Sequence, residues 1–330
     1  MIPSVRCDDK QFYDICYAEL QSKMTEIALR IGMFEALNKP LTLEQLCNKV
    51  AIGQRSGGTI VTLLVAMKLL HRQGELLELS STAREFLLEQ SPFYRGWLFK
   101  KISADELEVI RSIHLKDTFS RPETARWLAG VVTDPKLQAN DMHAHSFAAA
   151  TVFSRLPVFS KLNSVLDVAG GVGSFSIALA GCNANLQCTV MDLVPMAAVA
   201  EQKFADFGLK RQLRFIGADM FKDAWPTGFQ GIMFSNIFHD WDPGRCAILA
   251  KKAYVALPSG GMVFLNEMLL NDDKTGPLGA AMFAALMLLV MEGQQFTFNE
   301  LSAILSAAGF QNIEKVSGYG YYTLISAQKP

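Results

Sequence analysis

The chain has 330 residues, half of them apolar, and its 31 Lys and Arg against 32 Asp and Glu leave a net charge of −1. A chain of this length buries a large core without disulfides or metal and divides into about two domains. The balanced charge excludes nucleic acid and an anionic membrane surface as dominant electrostatic partners. With 14 Met and 22 Phe and a mean hydropathy of +0.18, there is apolar surface to hide. The longest apolar run, residues 278–291, is broken only by Gly279. A membrane span needs about 18 residues, so this run reads as a buried helix. The opening MIPSVRCDDK carries no apolar signal core, and Cys7, Cys16, Cys47, Cys182, Cys188 and Cys246 show neither C-x-x-C nor zinc spacing. Both features are those expected of a cytoplasmic protein with reduced thiols.

Apolar side chains recur at intervals of three and four over 11–38 (Ile15, Leu20, Met24, Ile27, Ile31, Phe34, Leu37), which predicts a helix ended by Pro40. Thr42 and Gln45 form a capping-box pattern for a short helix through Val50. Gly57 and Gly58 predict a break, after which 59–72 has helical period and 76–79 alternates like a short strand. Thr82 and Glu85 form a second capping box for a helix to Leu88. Two short helices, a longer helix and a strand make a winged-helix pattern, and residues 1–100 are expected to form such a domain. Its third helix, IVTLLVAMKLL, carries one Lys and no Arg, so it cannot present a basic face to a groove. The expected use of its apolar surface is packing against a second copy of the chain, as a homodimer. Residues 101–160, with Trp127 and the stretch 137–159, read as a helical connector.

From residue 163 onward short apolar runs alternate with helical stretches, at 165–168, 187–191, 213–216, 231–234 and 261–265. That alternation predicts an α/β fold with a doubly wound, Rossmann-like parallel sheet, so that residues 101–330 form the larger domain. Residues 319–327 read as a terminal strand.

DVAGGVG, residues 167–173, follows the first of these strands and opens a helix at 174–180. Gly170, Gly171 and Gly173 let the backbone approach a ligand, and the helix start offers unpaired N–H groups. Alone, the cluster is equally well explained as a tight strand-to-helix turn, but its surroundings add to it. Asp167 at the strand end suits an ammonium better than a pyrophosphate. The spacing is not G-x-G-x-x-G, because Ser176 holds the last position. Asp192 closes the next strand, where it can hold two ribose hydroxyls. After the third strand, Asp219 can accept from an adenine amino group while Met220 and Phe221 pack on the ring face. In order, at successive strand ends, these positions describe S-adenosylmethionine rather than a dinucleotide.

The fourth strand leads through Ser235, grouped with the cofactor positions, into His239-Asp240-Trp241, and the fifth ends at Glu267. Ligands of a doubly wound sheet sit beyond the carboxyl ends of its strands. His239 and Glu267 therefore fall on the edge of the glycine loop, where Glu267 can orient the imidazole. His143 and His145 form an H-x-H without a carboxylate or Cys at ligand spacing, so no metal is expected. The hydrolase pattern G-x-S-x-G is absent.

DVAGGVG, Asp192, GADMF (217–221), FHDW (238–241) and FLNE (264–267) resemble the small-molecule O-methyltransferases of the plant caffeate and animal hydroxyindole type, over nearly the whole chain. The resemblance implies an N-terminal dimerisation domain and makes His239 the catalytic base, supported by Asp240 and Glu267. It puts Gly170, Gly171 and Gly173 along the methionine part of the cofactor, Asp192 at the ribose, and Asp219 with Met220 at the adenine. EGQQFT (292–297) falls where the family carries Gly-x-Glu-Arg-Thr, which places Gln295 near the base. Residues 269–310 are most similar to the hydroxyindole branch. Three positions depart from the family pattern: Ala169 replaces the first glycine, Gln295 replaces a second Glu, and Leu286 replaces Asn. Gln295 still hydrogen-bonds but carries no charge, and Leu286 implies a more apolar acceptor pocket.

The expected reaction is transfer of a methyl group to a hydroxyl of a small aromatic or heteroaromatic acceptor, in secondary metabolism. The acceptor oxygen must reach about 3 Å from the methyl carbon. A phenol titrates near about 10 and an imidazole near about 6.5, so the proton is removed as attack proceeds. Met142, His145 and Phe147 on one helix, and Phe283, Met287 and Met291 with Phe296 near another, are the candidate acceptor-lining residues; each is equally explained as core except Met287, which is favoured as lining the pocket. The sequence leaves open methylation of N or C, a non-methyl reaction on the same cofactor, a cofactor-sensing winged-helix regulator and a nicotinamide dehydrogenase.

Overall fold

The computed structural model describes every residue except 1, 3, 92, 93, 95 and 100–134. The chain divides into two units: Met1–Asp9 with Ala125–Met268 and Asn299–Pro330, and Lys10–Thr124 with Leu269–Phe298. A single cut after residue 100 does not account for Leu269–Phe298, which returns to the unit of the N-terminal helices.

In that unit the helix expected over 11–38 is three helices, Lys10–Cys16, Ala18–Arg30 and Met33–Ala36. Gly32 interrupts them with φ +77°, a left-handed conformation that L side chains avoid. The Thr42 capping box forms and opens Leu43–Val50: Gln45 N–H donates to Thr42 Oγ1 at 3.2 Å and Thr42 N–H to Gln45 Oε1 at 3.0 Å. Three expectations are corrected. Gly57 and Gly58 lie inside helix Gln54–Ala66, where a side chain at Gly57 would collide with Cys47 Sγ, so this glycine serves close packing rather than a break. The helix ends at Ala66, before the left-handed Lys68, and Leu70–Gln73 is a strand. The cap of helix Ser81–Phe86 is Ser80, whose Oγ accepts from Ala83 N–H at 3.2 Å, and not Thr82. Strands β1 (Leu41–Thr42), β2 (Leu70–Gln73) and β3 (Leu76–Leu79) form an antiparallel sheet in the order β1-β3-β2.

The long apolar run becomes helix Leu278–Val290 of this same unit. Gln21 Nε2 donates to Met282 Sδ at 3.3 Å, and the Phe283 ring meets Tyr17 at 5.7 Å. Arg55 donates to the carbonyls of Met291 and Gly293, both at 3.0 Å, and so fixes the backbone leading to Gln295. Among the described residues no helix is long and apolar enough to cross a membrane.

The other unit carries β4 (Ser164–Val168), β5 (Gln187–Asp192), β6 (Leu213–Gly217), β7 (Gly231–Ser235), β8 (Met262–Met268), β9 (Gln311–Tyr319) and β10 (Tyr322–Gln328). Their order is β6-β5-β4-β7-β8-β10-β9, parallel through β8, with β10 antiparallel to both β8 and β9. Val165, Leu166, Val190, Met191, Ile232, Phe234, Val263 and Leu265 are all buried, as continuous apolar strands covered on both faces must be. Strand order reverses between β4 and β7, which opens a crevice beyond their carboxyl ends. The single terminal strand expected at 319–327 is instead a hairpin, turned at Gly320 with φ +57°. Of the connector, helices Pro135–Phe153 and Pro157–Ser160 are seen; Trp127 lies outside the described residues.

Candidate active site

Beyond the carboxyl ends of β4, β5 and β6 lies a cavity of about 600 Å³, lined by Ala169, Asp192, Asp219, Met220, Phe221, Asn236, Asp240, Trp241, Arg245 and others. Its floor is set by the glycine loop. Ala169, Gly171 and Gly173 all have positive φ, at +53°, +57° and +75°. A Cβ on Gly170 would sit 2.6 Å from Asp167 Cγ, and one on Gly173 would sit 2.7 Å from the Phe204 ring. The loop is stapled to the neighbouring strand, since Asp192 Oδ2 accepts from Gly171 N–H and Oδ1 from Leu193 N–H, each at 2.6 Å. Burial pushes this carboxyl upward, against those two bonds.

The third strand end forms the opposite wall. Asp219 Oδ1 accepts from Phe221 and Lys222 N–H at 2.9 and 3.2 Å, and the Lys222 ammonium beside it holds the carboxyl below its ordinary value. Phe221 and Trp241 meet edge to face at 4.8 Å, and the Arg245 guanidinium lies over both rings, 5.1 and 4.8 Å from their centroids. Two polar atoms on this wall, Asn236 Oδ1 and Trp241 Nε1, are buried with no hydrogen-bond partner among the described residues. A cavity in the usual small-molecule range of about 300–1,000 Å³, with apolar walls, a carboxylate at one strand end and two orphaned polar atoms, fits S-adenosylmethionine.

His239 sits in the turn Phe238–Asp240 just past β7 and is 4% exposed. Its Nδ1 lies 2.6 Å from Glu267 Oε2, while Glu267 Oε1 accepts from Ile237 and Phe238 N–H at 3.0 and 2.8 Å. With Nδ1–H donating to Oε2, Glu267 fixes both the orientation and the tautomer of the ring. Asp240 Oδ1 lies 3.4 Å from Nε2. Burial opposes a charged imidazole, but the two carboxylates prevail and His239 is pushed up to about 9. Burial raises Asp240 against the pull of His239.

Asp192, Asp219, Met220, Phe221 and Asp240 thus share the cavity wall, with His239 and Glu267 behind Asp240. Other expected residues stand elsewhere. Asp167 is 1% exposed, beneath the loop rather than facing an ammonium. The strand pleat turns its side chain to Ser176, whose Oγ donates to Oδ2 at 2.8 Å, and burial pushes it up to about 7. Ser235 Oγ accepts from Asn266 Nδ2 at 3.1 Å, and it is the next residue, Asn236, that lines the cavity. Phe147 stacks on His143 at 4.4 Å, and His143 Nδ1 lies 2.9 Å from Ser174 Oγ. His145 instead meets the Tyr322 ring at 6.4 Å, so the two histidines of the H-x-H have separate partners. Met142 lies outside the residues whose side chains are described. Phe283, Met287 and Phe296 are buried in the other unit, with Met291 half-buried. Gln295 there is 2% exposed, with neither amide atom paired among the described residues. Among the described residues no group of three or more His, Cys, Asp or Glu could hold a metal.

Sequence reasoning missed Asn236, Trp241, Arg245 and Ile248 as cavity residues. Trp241 adjoins the His-Asp pair and was there to be read. Arg245 and Ile248 reach the cavity only through the placement of helix Pro243–Ala256, which no local pattern announces.

Residues 132–311 match the family model of an O-methyltransferase domain. The chain is 27% identical over 301 residues to the 3-hydroxy-5-methyl-1-naphthoate 3-O-methyltransferase of Streptomyces sahachiroi, covering 88% of this chain and 86% of that one. It is 26% identical over 324 residues to the acetylserotonin O-methyltransferase of Gallus gallus, covering 89% and 90%. Among solved structures it is similar to an O-methyltransferase family 2 protein from Planctomyces limnophilus in complex with apigenin, with a TM-score of 0.88 and 24% identity over 100% of this chain and 98% of that one.

Proposed function

Since the chain belongs to the O-methyltransferase family and is an S-adenosylmethionine-dependent enzyme, we propose that it methylates a hydroxyl of a small aromatic or heteroaromatic acceptor in secondary metabolism, with His239 as general base. The observation that carries this reading is the pairing of His239 Nδ1 with Glu267 at 2.6 Å, directly behind the cavity residue Asp240. The naphthoate in the name of a similar enzyme supports the acceptor class.

Asp192, Asp219, Met220, Phe221, Asn236 and Trp241 are the proposed holders of S-adenosylmethionine. Bound there, it supplies a methyl group on a sulfonium. The rest of the chemistry belongs to the chain. With Nδ1–H donated to Glu267, Nε2 is the site that takes the acceptor's hydroxyl proton as the oxygen attacks; the step runs through the neutral ring, so turnover is expected to rise with pH towards about 9. The carboxylates of Glu267 and Asp240 stabilise the imidazolium so formed. Asp167 and Ser235 are read as supports of the strand ends rather than ligands.

We further infer a homodimer formed through the N-terminal helices, supported by exposed Phe12 and Ile15 at 63% and 70%. A cytoplasmic location is supported by six cysteines that are all free thiols. The test of function is incubation with isotope-labelled methyl donor and a panel of phenols, hydroxyindoles and hydroxypyrroles, read by mass spectrometry with the methylated atom identified by NMR. Label on an acceptor oxygen is the expected result. Label found only on nitrogen or carbon, or none across the panel with bound donor intact, overturns the proposal.

A further inference from the structure

The wall formed by Asp219, Met220 and Phe221 belongs to residues 218–230, which lie between β6 and β7 and contain no regular secondary structure. A loop of this kind has no ladder for its carbonyls, yet backbone polar groups turned inward need partners. One side chain supplies them. Lys252, half-buried on helix Pro243–Ala256, donates from Nζ to the carbonyls of Met220, Phe221 and Asp223 at 2.6, 3.1 and 2.8 Å. Those three bonds use every proton of the ammonium. Trp225 Nε1 adds a fourth from the same side, to Met220 O at 2.8 Å, and the ammonium lies 5.4 Å from the Trp225 ring centroid. Two of the three residues whose carbonyls Lys252 gathers, Met220 and Phe221, line the cavity, and the third, Asp223, follows them in the same loop.

We propose that Lys252 is a positioning residue for the cofactor: it holds the adenine wall from behind and sets how far Met220 and Phe221 stand into the cavity. The proposal rests on the reading of that wall as the adenine site. A charge-assisted bond to a carbonyl is stronger than a neutral one, and its loss leaves polar groups in search of water. Without Lys252 the loop relaxes outward, and the cost falls on cofactor affinity. His239 and Glu267 stand on other elements, the turn Phe238–Asp240 and β8, so turnover at saturating cofactor is spared.

The test uses the full-length enzyme. Calorimetry with S-adenosylhomocysteine compares the wild type with Lys252→Met, Lys252→Gln and Asp219→Ala, and steady-state kinetics with S-adenosylmethionine follow. Lys252→Met is expected to weaken binding about tenfold and to raise the KM for the methyl donor by a similar factor. The kcat and the KM of the acceptor stay within about twofold. Lys252→Gln, which keeps two N–H donors, is the variant to use if Met fails to fold, and is expected to weaken binding about threefold. Hydrogen exchange should rise in residues 218–225 and not across the sheet. Binding within about twofold of wild type in the Lys252 variants, while Asp219→Ala weakens it, overturns the role of Lys252 alone. Unchanged binding in Asp219→Ala overturns the adenine-site reading and the proposal with it. A fall in kcat at saturating donor, together with exchange rising throughout the unit, shows a general structural role and also overturns the proposal.

Discussion

Replacing Glu267 by Gln separates the orientation of His239 from its presence. The carboxylate spends Oε1 on the N–H groups of Ile237 and Phe238 and Oε2 on Nδ1. An amide has one carbonyl oxygen, which inherits the two backbone bonds and leaves its NH₂ facing Nδ1. A donor there requires Nδ1 to be the unprotonated nitrogen, so the ring proton moves to Nε2, the atom that has to accept. The expected loss is that of general-base assistance, roughly 10²–10⁴-fold in kcat. Affinity for S-adenosylhomocysteine should stay within about twofold, because Glu267 is not on the cavity wall.

The same substitution has a signature in stability. Burial works against the charged ring, yet the two carboxylates lift His239 from 6.5 to about 9. At about 1.4 kcal/mol per pH unit, that rise corresponds to about 3 kcal/mol, as an order of magnitude. The folded value lies above the unfolded one, so the stabilisation is complete below about pH 6.5 and fades as pH rises towards about 9. Urea unfolding should therefore show Glu267→Gln well below wild type at about pH 6 and nearer to it above about pH 9. A kcat within about threefold of wild type, or a stability gap that does not narrow with pH, refutes the reasoning.

Two further substitutions follow from the glycine loop. Ala169 adopts φ +53°, and a Cβ in that region costs about 1 kcal/mol; Ala169→Gly should raise Tm by about 2–4 °C without weakening S-adenosylhomocysteine, and a lower Tm contradicts the strain. Asp167, pushed up to about 7 by burial, binds its proton more tightly folded than unfolded. Its contribution to stability is therefore present at about pH 4 and lost as pH rises through about 7. Asp167→Asn should flatten that part of the stability profile; an unchanged slope between about pH 4 and 8 rules out the buried carboxyl as its source.

The parts of the site legible in the sequence are those set by local rules. Strands of a parallel sheet are short and apolar, and their ends fall at the functional edge, so Asp192, Asp219 and His239 could be placed there by counting. Glycines at positive φ and the Thr42 cap are also local. What escaped depends on tertiary contact. Gly57 looks like a breaker until Cys47 is set against it. Asp167 looks like a ligand until the pleat turns it to Ser176. The return of Leu269–Phe298 to the N-terminal helices, and the reach of Arg245 and Lys252 to the cavity loop, are properties of packing that no periodicity carries. Ser80 rather than Thr82 caps its helix because the helix begins at Ser81, which leaves Ser80 extended at the cap position and puts Thr82 inside the first turn.

The central claim is that His239 takes the acceptor's proton while other residues hold the cofactor. Single-turnover methyl transfer by His239→Ala, set beside its affinity for S-adenosylhomocysteine, tests it most directly. The expected result is an affinity within about twofold of wild type and a transfer rate lower by at least about 10²-fold. A variant that binds the product and still transfers methyl at close to the wild-type rate would contradict it.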